Sequence, residues 1–124
     1  MSGRRTADRD RGSATVLAVG AIAALLVVAG AAVMVAAAIV VRHRATAAAD
    51  LSALAAATTA VGGEQVSCAR AEWVARQMGT TLARCQLDGW DAVVEVSASM
   101  GAMVPMVPFD IKTNAHARAG PVER

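Results

Sequence analysis

Tyrosine is absent from this chain, phenylalanine occurs once and tryptophan twice, so aromatics make up only 2% of a sequence that is 56% hydrophobic. The apolar content is therefore mainly alanine, valine, leucine and methionine, and it is unevenly spread. From Ser13 to Val41 there is no Asp, Glu, Lys, Arg, His, Asn or Gln. At 1.5 Å of rise per residue this run extends roughly 43 Å as a helix, against the ~30 Å that a bilayer's hydrocarbon core requires. Its length also exceeds the ~7–15 residue apolar core of a removable signal. The run predicts a transmembrane helix, with the surplus length taken up by tilt or emerging from the lipid as helix.

Strong charge of either sign is missing too. The net charge is +2 and the sequence pI about 8.9, too mild for the electrostatic footprint of a nucleic-acid binder. The basic residues instead flank the apolar run: Arg4, Arg5, Arg9 and Arg11 precede it, and Arg42, His43 and Arg44 follow it. Cationic residues hold the cytoplasmic side while acidic ones count little, so this balance favours a cytoplasmic N-terminus and an extracytoplasmic C-terminal part.

The constellations of catalysis are absent. There is no Ser-His-Asp spacing, no phosphate-binding glycine loop and no carboxylate pair in an apolar setting. His116 falls on the polar face of a predicted strand, and His43 lies in a basic cluster where an interfacial anchor is the simpler reading. Asp50 is expected to be an exposed helical carboxylate, able to pair with Arg42, Arg44 or a neighbouring subunit. The expectation is a non-enzymatic protein with no cofactor and no small-molecule substrate.

Cysteine occurs twice, as Cys68 and Cys85, both beyond the apolar run. With His43 and His116 so far away in sequence, they fit no usual zinc spacing. In an oxidising compartment the two can pair. A bridge across this interval would contribute about 3 kcal/mol by chain entropy. The alternative is two reduced cysteines buried as small hydrophobes.

These features divide the chain into an Arg-rich cytoplasmic leader (1–12), a transmembrane helix (13–41), an Ala-rich helical extension (42–62) and a small extracytoplasmic domain (63–124). The leader shows no apolar periodicity and reads as disordered. Ser13 is a candidate N-cap, and nothing interrupts the helix until Gly62-Gly63. Gly20 and Gly30 allow close approach of a neighbouring helix. In the extension, Leu51 and Leu54 share a face, and the small side chains around Ala49 and Asp50 suit helix–helix packing. Val66, Ala69, Trp73, Val74 and Met78 then recur at helical spacing, and Gly79 marks a stop.

Beyond Gly79 the period becomes two. Ala83, Cys85 and Leu87 alternate with polar residues, and Asp88-Gly89 is a hairpin dipeptide. Trp90, Ala92, Val94, Val96 and Ala98 form a second alternating series. Phe109, Ile111, Thr113, Ala115 and Ala117 form a third. The fold class predicted is α+β: a long N-terminal helix, then a short helix covering a three-stranded antiparallel meander, with Cys85 directed toward the helix that bears Cys68. Between the last two strands, Met100, Met103, Val104, Pro105, Met106, Val107 and Pro108 form an apolar stretch. It is suited either to partner or lipid contact or to folding over the small core.

Several of these segments resemble the TadE/TadG-like family of pilus-assembly and secretion-associated membrane proteins, in its short actinobacterial branch. The resemblance is carried by Arg11-Gly12-Ser13-Ala14-Thr15-Val16 and by the run Arg42-His43-Arg44-Ala45-Thr46-Ala47-Ala48-Ala49-Asp50-Leu51-Ser52-Ala53-Leu54-Ala55-Ala56-Ala57. It continues in Cys68 and in Cys85-Gln86-Leu87-Asp88-Gly89 before the alternating strand. It implies a pilin-like or pseudopilin-like subunit of a Tad-type pilus or related secretion apparatus, with the bilayer and other such membrane subunits as partners. It also implies a prepilin-peptidase cut between Gly12 and Ser13. Leu17 departs from the pattern, because pilins usually carry glutamate at that place. A reading of another class is an exported small effector or binding protein released from a signal-anchor, which would be found in the medium beginning after residue 41.

Overall fold

The computed structural model describes residues 4–101 and 110–121, with the backbone alone for residues 4–11. Helix α1 spans Arg4–Thr58, and a 3-10 turn follows at Ala60–Gly62. Helix α2 spans Glu64–Gln77. Strands β1 (Thr81–Asp88), β2 (Asp91–Ser99) and β3 (Lys112–Ala119) form one antiparallel sheet in the order β1-β2-β3. The α+β architecture is the one expected. The start of α1 is not: the helix already includes Arg4, so Ser13 is not its cap and residues 4–12 of the leader are helical. No glycine or proline interrupts residues 4–11, and arginine and alanine are good helix formers.

Two units compose the chain, residues 1–36 and 37–124. In the first, every side chain from Gly12 to Ala36 is exposed to its surroundings. The stretch Gly12–Thr58 is long and apolar enough to cross a membrane.

The second unit is built on small side chains. Val41, Ala45, Ala48, Ala49, Ser52, Ala53 and Ala56 of α1 are all buried, a stripe at helical spacing. Ala53 and Ala56 cluster with Ala71, Ala92 and Val94. Ala48 and Ala49 cluster with Ala75 and Val96. Val41 and Ala45 cluster with Ala98 and Met100. Successive clusters therefore pair descending positions of α1 with ascending positions of α2 and β2, so both run antiparallel to the α1 extension.

This Ala-lined surface explains where helical periodicity misled. Helix α2 buries Ser67, Ala71 and Ala75, not the series led by Val66 and Trp73. Close approach to an alanine face selects the small stripe of α2 and leaves Val66 and Trp73 outside, 53% and 46% exposed. Arg70 instead stacks over the Trp73 ring at 4.8 Å. Gly79 ends the helix with φ +69, and the Thr80 hydroxyl donates to the Ala75 carbonyl at 2.8 Å.

A register shift between Leu82 and Arg84 corrects the reading of β1. The bulge turns Ala83 outward and brings Leu82 to the core beside Cys85 and Leu87, because an extra residue reverses the alternation on one side of it. The β1–β2 loop is Gly89-Trp90, with Asp88 facing Asp91. A positive φ at Gly89 only is the type II′ hairpin pattern. Trp90 thus belongs to the turn and is 62% exposed, outside the inward series that begins at Ala92. Ile111 precedes β3 and is exposed, whereas Thr113, Ala115 and Ala117 are half-buried as expected. Met100 is buried; Phe109 and the Met103–Pro108 stretch lie outside the described residues.

Ser52 Oγ and Ser67 Oγ are buried with no hydrogen-bond partner. An unpaired buried hydroxyl costs about 1–3 kcal/mol. Ser52→Ala or Ser67→Ala is therefore expected to stabilise the full-length protein by about 1 kcal/mol, read as a rise in the thermal midpoint in detergent micelles. A drop of that size would show that the hydroxyl is satisfied.

Candidate association surface

Packing of the buried stripe inward leaves the opposite face of the α1 extension to solvent. Ala49 lies in the chain's own core at 0% exposure, while Leu51 and Leu54 are 48% and 56% exposed. Asp50 is exposed as well and makes no ion pair among the described residues. Leu51 and Leu54 line an open groove of about 340 Å³ with Ala55 and Thr58 of α1 and Arg70 and Val74 of α2. The groove is apolar along its floor, with one cation at the rim held over Trp73. Such a surface can take an apolar helix face or side chain; it offers no acid–base pair and no nucleophile.

Of the other positions singled out from sequence, Gly20 and Gly30 have open space where a Cβ would stand, as has Gly12. Gly12 and Ser13 lie within the helical run of α1. Cys68 and Cys85 are joined in a disulfide, with Cα atoms 5.8 Å apart, tying α2 to β1. The same two elements are also joined by the Leu87 N–H donating to Glu64 Oε2 at 3.0 Å. The groove itself is not legible in the sequence, because it depends on which face α2 turns outward. The Arg70–Trp73 spacing was the available signal.

The outer face of the sheet is polar. Asn114 Nδ2 donates to Glu95 Oε1 at 3.1 Å, and His116 Nε2 lies 3.9 Å from the same oxygen. Arg118 Nε donates to Asp91 Oδ2 at 2.8 Å, and this hydrogen bond and charge raise the guanidinium further above its ordinary pKa. His116 is thus a member of a cross-strand polar row, and His43 is exposed on α1. Among the described residues no group of three His, Cys, Asp or Glu is placed to hold a metal ion.

The arrangement defines an α+β protein with one helix able to span a membrane, continuous with the scaffold of a small disulfide-closed domain. Residues 12–59 match the family model described as putative Flp pilus-assembly TadE/G-like, the family that the sequence resembles. The match covers the apolar run and the α1 extension and stops one residue beyond Thr58, where α1 ends. No curated protein and no solved structure matches the chain.

Proposed function

We propose that this protein is a membrane-anchored, pilin-like structural subunit of a Tad-type pilus or a related secretion apparatus, with its N-terminus in the cytoplasm and its domain outside. The observation that carries the reading is the family match over 12–59, which falls on the apolar helix and its small-residue extension. The role is mechanical. The helix holds the chain in the bilayer, and the folded domain presents Leu51, Leu54 and the groove beside Arg70 to neighbouring subunits. Gly20 and Gly30 serve the same purpose in lipid, where small residues let helices approach closely. Removal of the leader between Gly12 and Ser13 by a prepilin peptidase belongs to this reading, and intact-mass measurement of membrane-extracted protein tests that step.

Leu54→Asp is the test of the surface. It places a charge in the groove without touching the buried stripe. The expected result is loss of membrane-subunit cross-links in intact cells while the protein remains in the membrane at normal abundance. Undiminished cross-linking would show that the groove is not the contact.

A further inference from the structure

We propose that the end of the folded domain formed by Ala37–Val41, Ile111 and Lys112 rests in the headgroup layer of the bilayer that anchors the chain. The lipid-spanning part is then 13–36 rather than 13–41. The inference rests on the membrane-anchor reading above and fixes where lipid ends and protein begins.

The uncharged run does not behave uniformly. Val41 is 2% exposed, and Ala37 and Ala38 pack with it against Ala98, Met100 and Ala115. Those positions have already exchanged water for protein and need no lipid. Residues 12–36, in contrast, are exposed on every side of the helix and have no such shelter. The stretch 13–36 extends about 36 Å as a helix, enough for a ~30 Å hydrocarbon core. Ala37, Ala38 and Val41 would otherwise have to be both in hydrocarbon and packed against a folded core.

The chemistry at this end of the domain suits a headgroup layer. Strand register sets Ser99 opposite Lys112, and Ala98 and Met100 on either side of Ser99 pack on Val41, so Ile111 and Lys112 lie at the end where the chain leaves for the membrane. Ile39, Val40 and Ile111 remain 51%, 51% and 41% exposed there. Arg42 and Arg44 follow Val41 within one helical turn, Lys112 follows Ile111, and all three are exposed. Exposed aliphatic side chains beside cations are what the boundary between acyl chains and phosphates accommodates. Asp110 lies at the same end, where its carboxylate accepts the Gly101 N–H at 3.2 Å and stands 3.9 Å from Lys112 Nζ, leaving Arg42 and Arg44 as the cations without a carboxylate among the ion pairs of the described residues. The other end of the sheet carries Asp88 and Asp91 paired with Arg118, beside the exposed Trp90 of the hairpin, and the chain does not leave for the membrane there.

With Cys68 and Cys85 paired and no free cysteine present, a single introduced thiol can be spin-labelled in the full-length protein. Val28→Cys, Ile111→Cys and Leu54→Cys, each reconstituted in vesicles of phosphatidylcholine and phosphatidylglycerol, report depth through relaxation by oxygen and by a water-soluble nickel chelate. Val40→Cys repeats the Ile111 measurement from α1, should the former perturb the domain. The expected result places label 28 in hydrocarbon, labels 111 and 40 at headgroup depth, and label 54 in water, with nickel accessibility at 111 several-fold below that at 54. Equal nickel accessibility at 111, 40 and 54, with 28 still in hydrocarbon, would overturn the proposal and leave the anchor standing. Nickel access at 28 itself would overturn both.

Discussion

Replacing Met100 with alanine is expected to destabilise the domain by about 2–5 kcal/mol, the range for truncating a large buried aliphatic side chain. Met100 is 1% exposed and the largest fully buried side chain among the described residues. Its surroundings explain why the loss would not be recovered. Val41, Ala45, Ala98, Ala37, Ala38 and Ala115 are short side chains on regular helix and strand, and none can swing into the vacated space. The Met100 N–H also donates to the Ile111 carbonyl at 2.9 Å, which pins the backbone and limits collapse. Denaturant unfolding of the full-length protein in micelles, followed by circular dichroism, checks the figure. A cost below about 1 kcal/mol would mean that the cavity closes and that this end of the core is looser than described.

Opening the disulfide is expected to cost about 3 kcal/mol. Cys68 and Cys85 are 17 residues apart, and the bridge restricts the unfolded chain across that interval. The domain has few alternatives for holding α2 in place. Its interface with α1 is alanine on alanine, which buries little apolar area per residue, and among the described residues no aromatic ring is buried in it. The double variant Cys68→Ser, Cys85→Ser should therefore melt well below the parent, and a reductant should bring the parent to the same midpoint. Alkylation without reduction should add no mass. If the reduced and oxidised proteins melt together, the bridge has no structural role. A mass increase without reduction would show that the protein never entered an oxidising compartment.

The sequence made the coarse architecture visible because its strongest signals are local. A long uncharged run, glycines at the turns and alternation along β2 each carry their meaning within a few residues. The disulfide was legible for a similar reason: alternation along β1 directs Cys85 toward α2. Where the reading failed, the deciding fact lay in another element. The buried face of α2 is chosen by the alanine stripe it must approach, so Ser67, Ala71 and Ala75 displace a series with larger side chains. The bulge after Leu82 reverses one step of the β1 alternation, which no count of apolar positions anticipates. The extension of α1 suited close helix packing, as its small residues imply. Much of that capacity is used within the chain itself, leaving Leu51 and Leu54 as the outward residue of the pattern.

Protease added to right-side-out spheroplasts expressing the full-length chain tests the central claim most directly. The account predicts that the domain is digested from outside while a fragment containing the apolar helix stays protected in the membrane pellet. A domain that survives intact until the spheroplasts are lysed would reverse the orientation. Recovery of the protein from the medium, beginning after residue 41, would show that the apolar segment is removed and contradict the anchor altogether.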